Sequence, residues 1–552
     1  MPNTARPFYV TTPIYYVNDS PHIGHAYTTI AADVTARYQR LRGVDVKFLT
    51  GTDEHGQKVD KAALNAGVAP QAFTDEVSQR FRTLVHDPLR EDGGANLLGI
   101  SNDDFIRTTE ERHKLAATEL WKRMEANGYV YLDSYAGWYA VRDEAYYQES
   151  ELIEKNGKKV APTGAEVEWV TEESYFFKLS AFGDKLLEFY EKNPDFVYPQ
   201  SRYNEVKSFV KGGLKDLSIS RTTFNWGVPV PNNPAHVMYV WVDALTNYMT
   251  SAGFPATDGD FAKFWGTEPS QPGNCVHLVG KDILRFHAVY WPAFLMAANL
   301  PLPRQIVAHG WWTIEGEKMS KSLGNVLSPA DMIALAGGVD QLRYFMMKAM
   351  PFGNDGDFSK SRMVDLVNAD LANKIGNLAQ RTLSMIQKNC DGKVPAFEPD
   401  NLTEEDYAYI ENFLVTQKGT PEAVDAKFRN FDFVGIMNDI VNIAEAANEY
   451  IDKQKPWSLK DNPARRDAVL YILAEGIRCL AVYLQPFIPT SSAKILDLLG
   501  VEDSPEARNF SSTYHYEFSK TSSLNTYALK SGTVLPAPSP VFPRLEQAEA
   551  AA

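Results

Sequence analysis

The sequence predicts an α/β protein: a doubly wound parallel sheet interrupted by an insertion and followed by an α-helical bundle. Three observations carry this. Near the N-terminus, β-branched and aromatic runs flank an amphipathic helical pattern, as in a βαβ unit. In the last third, apolar residues recur every three or four positions over long stretches. The length, 552 residues at roughly 150 per domain, allows about three or four domains.

Phe8 to Tyr16 reads as a strand that ends in the turn cluster Asn18-Asp19-Ser20-Pro21. From His25 the period changes, with Ile30, Val34, Tyr38 and Leu41 on one helical face and Gly43 as the stop. Val44 to Thr50 is a second strand closing in Gly51-Thr52-Asp53-Glu54-His55-Gly56. Ligands on such a Rossmann-like sheet sit beyond the carboxyl ends of the strands. From about Tyr131 to Arg221 the alternation is lost, as an insertion would cause, and sheet-like character resumes at Met238 to Val242 and Val276 to Val279. Gly280-Lys281-Asp282-Ile283 leads into a helix-like stretch to Asn299, and Ile306 to Ile314 reads as a last strand before the loop Gly316 to Asn325.

Beyond about Ala369 the pattern is helical: Leu371, Ile375, Leu378 and Thr382, then Phe433, Ile436, Ile440 and Ala447, then the apolar run Val469 to Leu484 stopped at Pro486. The segment after Pro505, rich in Ser, Thr and Pro, reads as a surface strap or a partly disordered tail. The expected division is 5–130 with 222–315 for the sheet domain, 131–221 for the insertion, 316–368 for a linker, 369–505 for the bundle and 506–552 for the tail.

Composition narrows the function classes. Fifty-five Lys and Arg against 70 Asp and Glu give a net charge of -15, with 44% hydrophobic and 12% aromatic residues. That excludes a disordered chain and a protein binding nucleic acid by bulk charge, so a polyanion partner must meet local basic patches. Cys275, Cys390 and Cys479 are far apart, which fits a reducing compartment and no disulfide framework. A strand-like run begins within seven residues, so no signal or transit peptide is expected. Phe286 to Pro303 is broken by His287, Pro292, Asn299 and Pro301, so no membrane segment is expected either, and the expected location is the cytoplasm.

Two motifs carry chemistry. In Pro21-His22-Ile23-Gly24-His25, a glycine between two imidazoles at a strand-to-helix turn suits phosphate binding, the alternative being a turn with incidental histidines. In Lys318-Met319-Ser320-Lys321-Ser322, two lysines flank small hydroxyls, which suits a loop closing over a triphosphate or an ordinary solvated loop. Together and in this order they resemble the HIGH and KMSKS signatures of class I aminoacyl-tRNA synthetases. The strings TTPIYYVN, GTDEHG, FIRTTEERH, YVWVDALTNY, GKDILRFHAVYWPA, KMSKSLGNV and ADLANKIGNLAQR further resemble the methionyl-tRNA synthetase family, in its order, to about residue 500.

The resemblance implies a Rossmann-like catalytic domain with a connective insertion and a helical anticodon-binding domain. It implies activation of L-methionine by ATP to methionyl-adenylate and diphosphate, then transfer to the 3′-terminal ribose of elongator and initiator tRNA(Met). His22, His25, Lys318 and Lys321 are the implied catalytic residues, and His22, Gly24, His25, Gly280, Asp282, Lys318, Met319, Ser320, Lys321 and Ser322 the implied ATP contacts. The implied methionine pocket is Pro13, Ile14, Tyr16, Asp53, Trp241, Ala244, Tyr248, Ile283, His287 and Trp291. Asp53 can pair with an α-ammonium, and the aromatic and aliphatic walls fit a thioether. Asn377, Arg381 and Trp457 match anticodon-contacting positions. Between Ala369 and Lys393, four basic residues face two acidic ones, and Lys374, Asn377, Arg381 and Lys388 share a helix face. Trp457, among Lys453, Lys455 and Lys460, suits stacking on an unpaired base or capping of the bundle core.

ATP is expected as its Mg2+ complex and the protein as a monomer. Where many relatives carry a CxxC zinc knuckle, this chain reads Gly137-Trp138-Tyr139-Ala140-Val141-Arg142-Asp143, so no zinc and no other resident metal is expected. Rival expectations are a synthetase for leucine, isoleucine or valine, disfavoured by an insertion of only about ninety residues, a nucleotidylyltransferase without tRNA, and a non-catalytic tRNA scaffold.

Overall fold

The structure is a computed structural model that describes residues 6–17, 20–88, 90, 94–143, 145–155, 157–318, 326–410, 421–513 and 528–546. It divides into two compact units, one of Arg6–Ala32 with Val46–His309 and the other of Met1–Ala5, Asp33–Asp45 and Gly310–Ala552. Among the described residues, no helix is long and apolar enough to cross a membrane.

The first unit is built on a parallel sheet. β1 (Phe8–Thr11) leads through α1 (Ile23–Leu41) to β2 (Val46–Asp53), and β3 (Asp104–Arg107) leads into α2 (Glu111–Ala126). β4 (Val197–Tyr198), α3 (Val240–Ser251), β5 (Cys275–Gly280) and β6 (Gln305–His309) follow. Strand order is β4-β6-β5-β1-β2-β3, with the two-residue strand Tyr15–Tyr16 pairing on β2 beyond β1. All these pairings are parallel. The chain moves outward from β1 through β2 and β3, then returns to lay β5 and β6 on the other side. The reversal lies between β1 and β5, and a doubly wound sheet opens its ligand crevice at such a point.

Both faces of the sheet are covered, and its strands are buried runs such as Tyr9, Val10, Phe48, Leu49, Leu278 and Val279. Within residues 130–218 a separate antiparallel sheet has a spine that pairs Val130–Ala140 with Glu168–Phe177, while β4, which lies inside this segment, belongs to the parallel sheet.

Two expectations are corrected. The run Met238 to Val242 is not a strand: the strand is Asn233–Met238, and α3 starts at Val240. α3 opens on Val240-Trp241-Val242, β-branched and aromatic residues that read as a continued strand, and its polar stripe Asp243, Thr246, Asn247 and Thr250 is buried along with every other residue but Trp241. Ile306 to Ile314 is two strands in two sheets, β6 and Trp312–Ile314. Gly310 separates them, and a Cβ there would lie 2.3 Å from the Asn354 carbonyl oxygen, so backbone packs where a side chain would continue the strand.

The second unit is mainly helical. Trp312–Ile314 pairs with Glu317–Lys318 and Gly356–Phe358, and helices Asn377–Asn389, Phe433–Gln454, Pro463–Leu484 and Pro489–Leu498 form a bundle. Ala468 to Leu484 are all buried. At its heart Arg478 pairs with Glu475 at 2.5 Å, both nearly inaccessible to water. Residues 528–546 cross the bundle as a strap: Tyr471 donates to the Leu529 carbonyl at 2.8 Å, the Leu529 N–H to Glu475 at 3.2 Å and the Leu545 N–H to Asn368 at 2.8 Å.

Candidate functional site

α1 begins at the carboxyl end of the β1 side of the crevice, with His22 just before it and His25 in its first turn. The two rings stack with centroids 3.8 Å apart. The Gly24 N–H donates to His22 Nδ1 at 3.1 Å, and the His22 N–H donates to His25 Nδ1 at 3.1 Å. A ring nitrogen that accepts carries no proton, so each neutral imidazole holds its proton on Nε2. Burial, and next the adjacent His22, hold His25 well below the usual imidazole range, so its ring is neutral at pH 7. A Cβ on Gly24 would lie 3.1 Å from His22 Cε1. The glycine therefore makes room for the folded-back His22 ring, and its N–H is used inside the motif.

Across the crevice, β5 ends at Gly280. A Cβ there would lie 2.5 Å from Asp282 Oδ1, so only glycine lets the exposed carboxylate turn back over the strand end. His309, at the end of β6, meets Thr28 of α1 at 2.7 Å. Lys318 pairs by its backbone with Thr313, whereas Met319, Ser320, Lys321 and Ser322 lie outside the described residues.

The proposed methionine residues converge in the same unit. Trp241 stacks on Phe286 at 3.8 Å and meets His287 at 6.0 Å, while Tyr248 lies 5.7 Å from His287 and 6.4 Å from Trp291. Ala244, Tyr248, His287 and Trp291 are buried; Pro13, Ile14, Tyr16, Trp241 and Ile283 are half-buried. The His287 Nδ1–H donates to the Ile283 carbonyl at 3.0 Å, so Nε2 accepts from the Tyr248 hydroxyl at 2.7 Å. Burial pushes His287 down to about 4, which keeps that arrangement neutral. Asp53 is 6% exposed and pairs in register with Tyr16. Burial, then Cys275 and more weakly Asp53, push the Tyr248 phenol well up.

The neighbours of Asp53 are held by groups the sequence reading assigned no role. Glu54, fully buried, accepts Arg107 Nε at 2.7 Å and Nη2 at 2.9 Å, and the hydroxyls of Thr52 at 2.7 Å and Thr109 at 2.5 Å. The His55 Nδ1–H donates to Asp243 Oδ2 at 2.6 Å, and the His113 Nε2–H donates to Asp243 Oδ1 at 2.7 Å. Burial opposes ionisation of Asp243, but the two imidazoles outweigh it and hold the group below the usual carboxylate range. These are charged residues of the strings GTDEHG, FIRTTEERH and YVWVDALTNY. Asking which buried acids of one string could meet the bases of another was the available signal.

In the second unit, Arg381 lies over the Trp457 ring at 5.7 Å and pairs with Asp452 at 2.7 Å. Asn377 and Trp457 are exposed. Lys374 pairs with Asp370 at 2.9 Å and Glu445 at 2.8 Å, which leaves the basic strip weaker than its sequence suggests.

In the insertion, the residues standing where relatives carry the knuckle do not fit zinc. Ala140 packs with Ala161 and Ala165, and Asp143 accepts the hydroxyls of Tyr147, at 3.0 Å, and of Thr163. Among the described residues no group of three or more His, Cys, Asp or Glu could hold a metal ion. Hydrogen bonds and a small apolar cluster tie the Ala140–Asp143 turn to residues 161–165 there.

Residues 8–383 match the family model for class I tRNA synthetases (M), and residues 414–552 match the anticodon binding domain of methionyl tRNA ligase. The chain is 52% identical over 540 residues to the methionine–tRNA ligase of Rickettsia felis, covering 98% of each chain. It is 49% identical over 544 residues to that of Brucella suis, again covering 98% of each. Among solved structures, the Mycobacterium tuberculosis methionyl-tRNA synthetase in complex with methionyl-adenylate superposes with a TM-score of 0.88 at 47% identity, covering 98% of this chain and 100% of that one. A parallel sheet with paired histidines at its reversal point and these full-length likenesses together place the chain in the methionyl-tRNA synthetase family of class I.

Proposed function

We propose that the crevice between β1 and β5 is where this chain performs the adenylation step of methionine–tRNA ligation. Asp53 holds the α-ammonium, and Trp241, Tyr248, His287 and Trp291, with Pro13, Ile14, Tyr16, Ala244 and Ile283, enclose the thioether. The methionine carboxylate, ionised at pH 7, attacks the α-phosphate of Mg-ATP in line and expels diphosphate without a general base. Gly280 and Asp282 position the nucleotide. His22 and His25 donate from Nε2 to phosphate oxygens as charge builds there, and Lys318 and Lys321, with Met319, Ser320 and Ser322, close over the triphosphate. The 3′-terminal ribose hydroxyl of tRNA(Met), elongator or initiator, then attacks the adenylate carbonyl and releases AMP. Asn377, Arg381 and Trp457 read the anticodon. The protein acts as a cytoplasmic monomer without zinc.

The observation that supports this reading most is the Nδ1 pairing of His22 and His25, which fixes both rings as Nε2 donors. His22→Ala, His25→Ala and Lys321→Ala should each lower the rate of methionine-dependent pyrophosphate exchange about 100-fold while changing methionine affinity little. Exchange should need methionine and no tRNA. Equal losses in rate and methionine affinity, or exchange with leucine, isoleucine or valine in place of methionine, would overturn the reading.

A further inference from the structure

Asp53 can select an α-ammonium only if its carboxylate is held in place, and the end of β2 that carries it, with the turn after it, is pinned on every other residue. Thr52 meets Ser78 at 2.9 Å, Glu54 takes the Arg107 fork, and the Gly56 N–H donates to the Trp226 carbonyl at 3.0 Å. The Trp226 Nε1–H returns a bond to the Glu54 carbonyl at 2.5 Å. His55 ties the segment to α3, through Asp243. Asp243 stands on α3 between Trp241 and Ala244, two walls of the proposed pocket, and its other oxygen reaches His113 on α2.

Asp243 and His113 are 0% exposed and His55 is 3% exposed. A buried carboxylate with imidazole partners is no more stabilising than apolar packing of the same volume, but its directed bonds admit only one geometry. Misplacing a binding group by about 1 Å can cost on the order of 100-fold in rate or affinity.

We infer that Asp243 is a positioning residue for the methionine site: by holding His55 and His113 it sets the turn at the end of β2, and with it Asp53, against the helix that forms the pocket wall. Arg107 and Glu54 fix the same turn from its other side. The inference rests on the reading that Asp53 binds the ammonium, and the two can fail separately.

The test is steady-state pyrophosphate exchange on the full chain, with rates normalised to active sites titrated by adenylate formation and with KM measured for methionine and for ATP. Asp243→Asn keeps the shape but offers an amide to one imidazole N–H, and it should raise KM for methionine about 10- to 100-fold while leaving KM for ATP within about twofold. His55→Phe should behave alike. His55→Asn, whose amide N–H stands near the Nδ1 position, should return KM for methionine to within about threefold of the unmodified chain. If Asp243→Asn does not fold, the His55 pair decides alone. Asp243→Asn and His55→Phe both leaving KM for methionine within about twofold, with only fewer active sites, would reduce the cluster to a structural one and overturn the proposal. Asp53→Asn is run beside them: an unchanged methionine KM there defeats the ammonium reading itself, whatever the Asp243 variants do.

Discussion

Trp457→Ala separates two uses of an aromatic side chain by magnitude. A tryptophan capping the bundle core would cost about 3–5 kcal/mol when truncated. Trp457 is 45% exposed, above a buried Pro456, so little of its surface is withdrawn from water. The contact it would lose is the Arg381 guanidinium 5.7 Å from its ring centroid, and at an exposed site that is worth about 0.5–1 kcal/mol. Stability should therefore fall by no more than about 1–2 kcal/mol. Stacking of one base on an aromatic ring is worth about 1–3 kcal/mol, a factor of roughly 5 to 150. The assay is aminoacylation against tRNA(Met) concentration beside tRNA-independent pyrophosphate exchange and thermal melting. KM for tRNA should rise by that factor with exchange unchanged. A tRNA KM within about twofold and a melting temperature roughly 10 °C lower would return Trp457 to the core and refute the argument. Asp452→Ala checks the neighbour: the Arg381–Asp452 pair is exposed and worth about 0–1 kcal/mol, so releasing Arg381 should tighten tRNA binding at most a few-fold.

The other predictions concern stability and metal. Glu475→Gln removes the anionic partner of Arg478 in the bundle core and leaves it neutral partners such as Ser512, and it should cost about 3–5 kcal/mol in unfolding experiments; under about 1 kcal/mol would contradict the burial described. His287, pushed down to about 4 from 6.5, stays neutral in the fold while the unfolded chain takes up its proton, so stability drops as pH falls from about 6.5 to about 4. His287→Gln should reduce the protons taken up on unfolding at about pH 5 by about one, and an unchanged uptake would show His287 already charged in the fold. Metal analysis of the purified chain should find no stoichiometric zinc, and chelation should leave its melting temperature unchanged; one zinc per chain would show that the Ala140–Asp143 turn is not self-sufficient.

Period and turn chemistry made the start of the sheet and the helical bundle legible. Ile30, Val34, Tyr38 and Leu41 lie on α1, which ends two residues before Gly43, and Val469 to Leu484 lies within the helix Pro463–Leu484. The start of α3 was hidden because Val240-Trp241-Val242 extends the apolar, β-branched run of the strand before it, so Met238 to Val242 read as one strand. Gly310 was unreadable as a break because what it accommodates, the Asn354 backbone, lies 44 residues on. In the candidate site, paired signatures and local strings were enough to pick out histidines and aromatic residues that the fold brings into one unit. The partners of Asp243 were not, since they stand 130 and 188 residues away and only folding makes them neighbours.

Because α3 has no outward face apart from Trp241, the pocket has an uneven capacity for redesign. Enlarging it for a longer amino acid at Ala244 or Tyr248 would press on a helix whose other sides are already packed, and close-packed interiors transmit such strain. Ile14 and Trp241 are half-buried and border solvent, so volume can be removed there while the packed side of the helix stays intact. A library aimed at non-natural side chains would find its tolerant positions on the loop after β1 and at the first turn of α3, and its intolerant ones toward the helix centre.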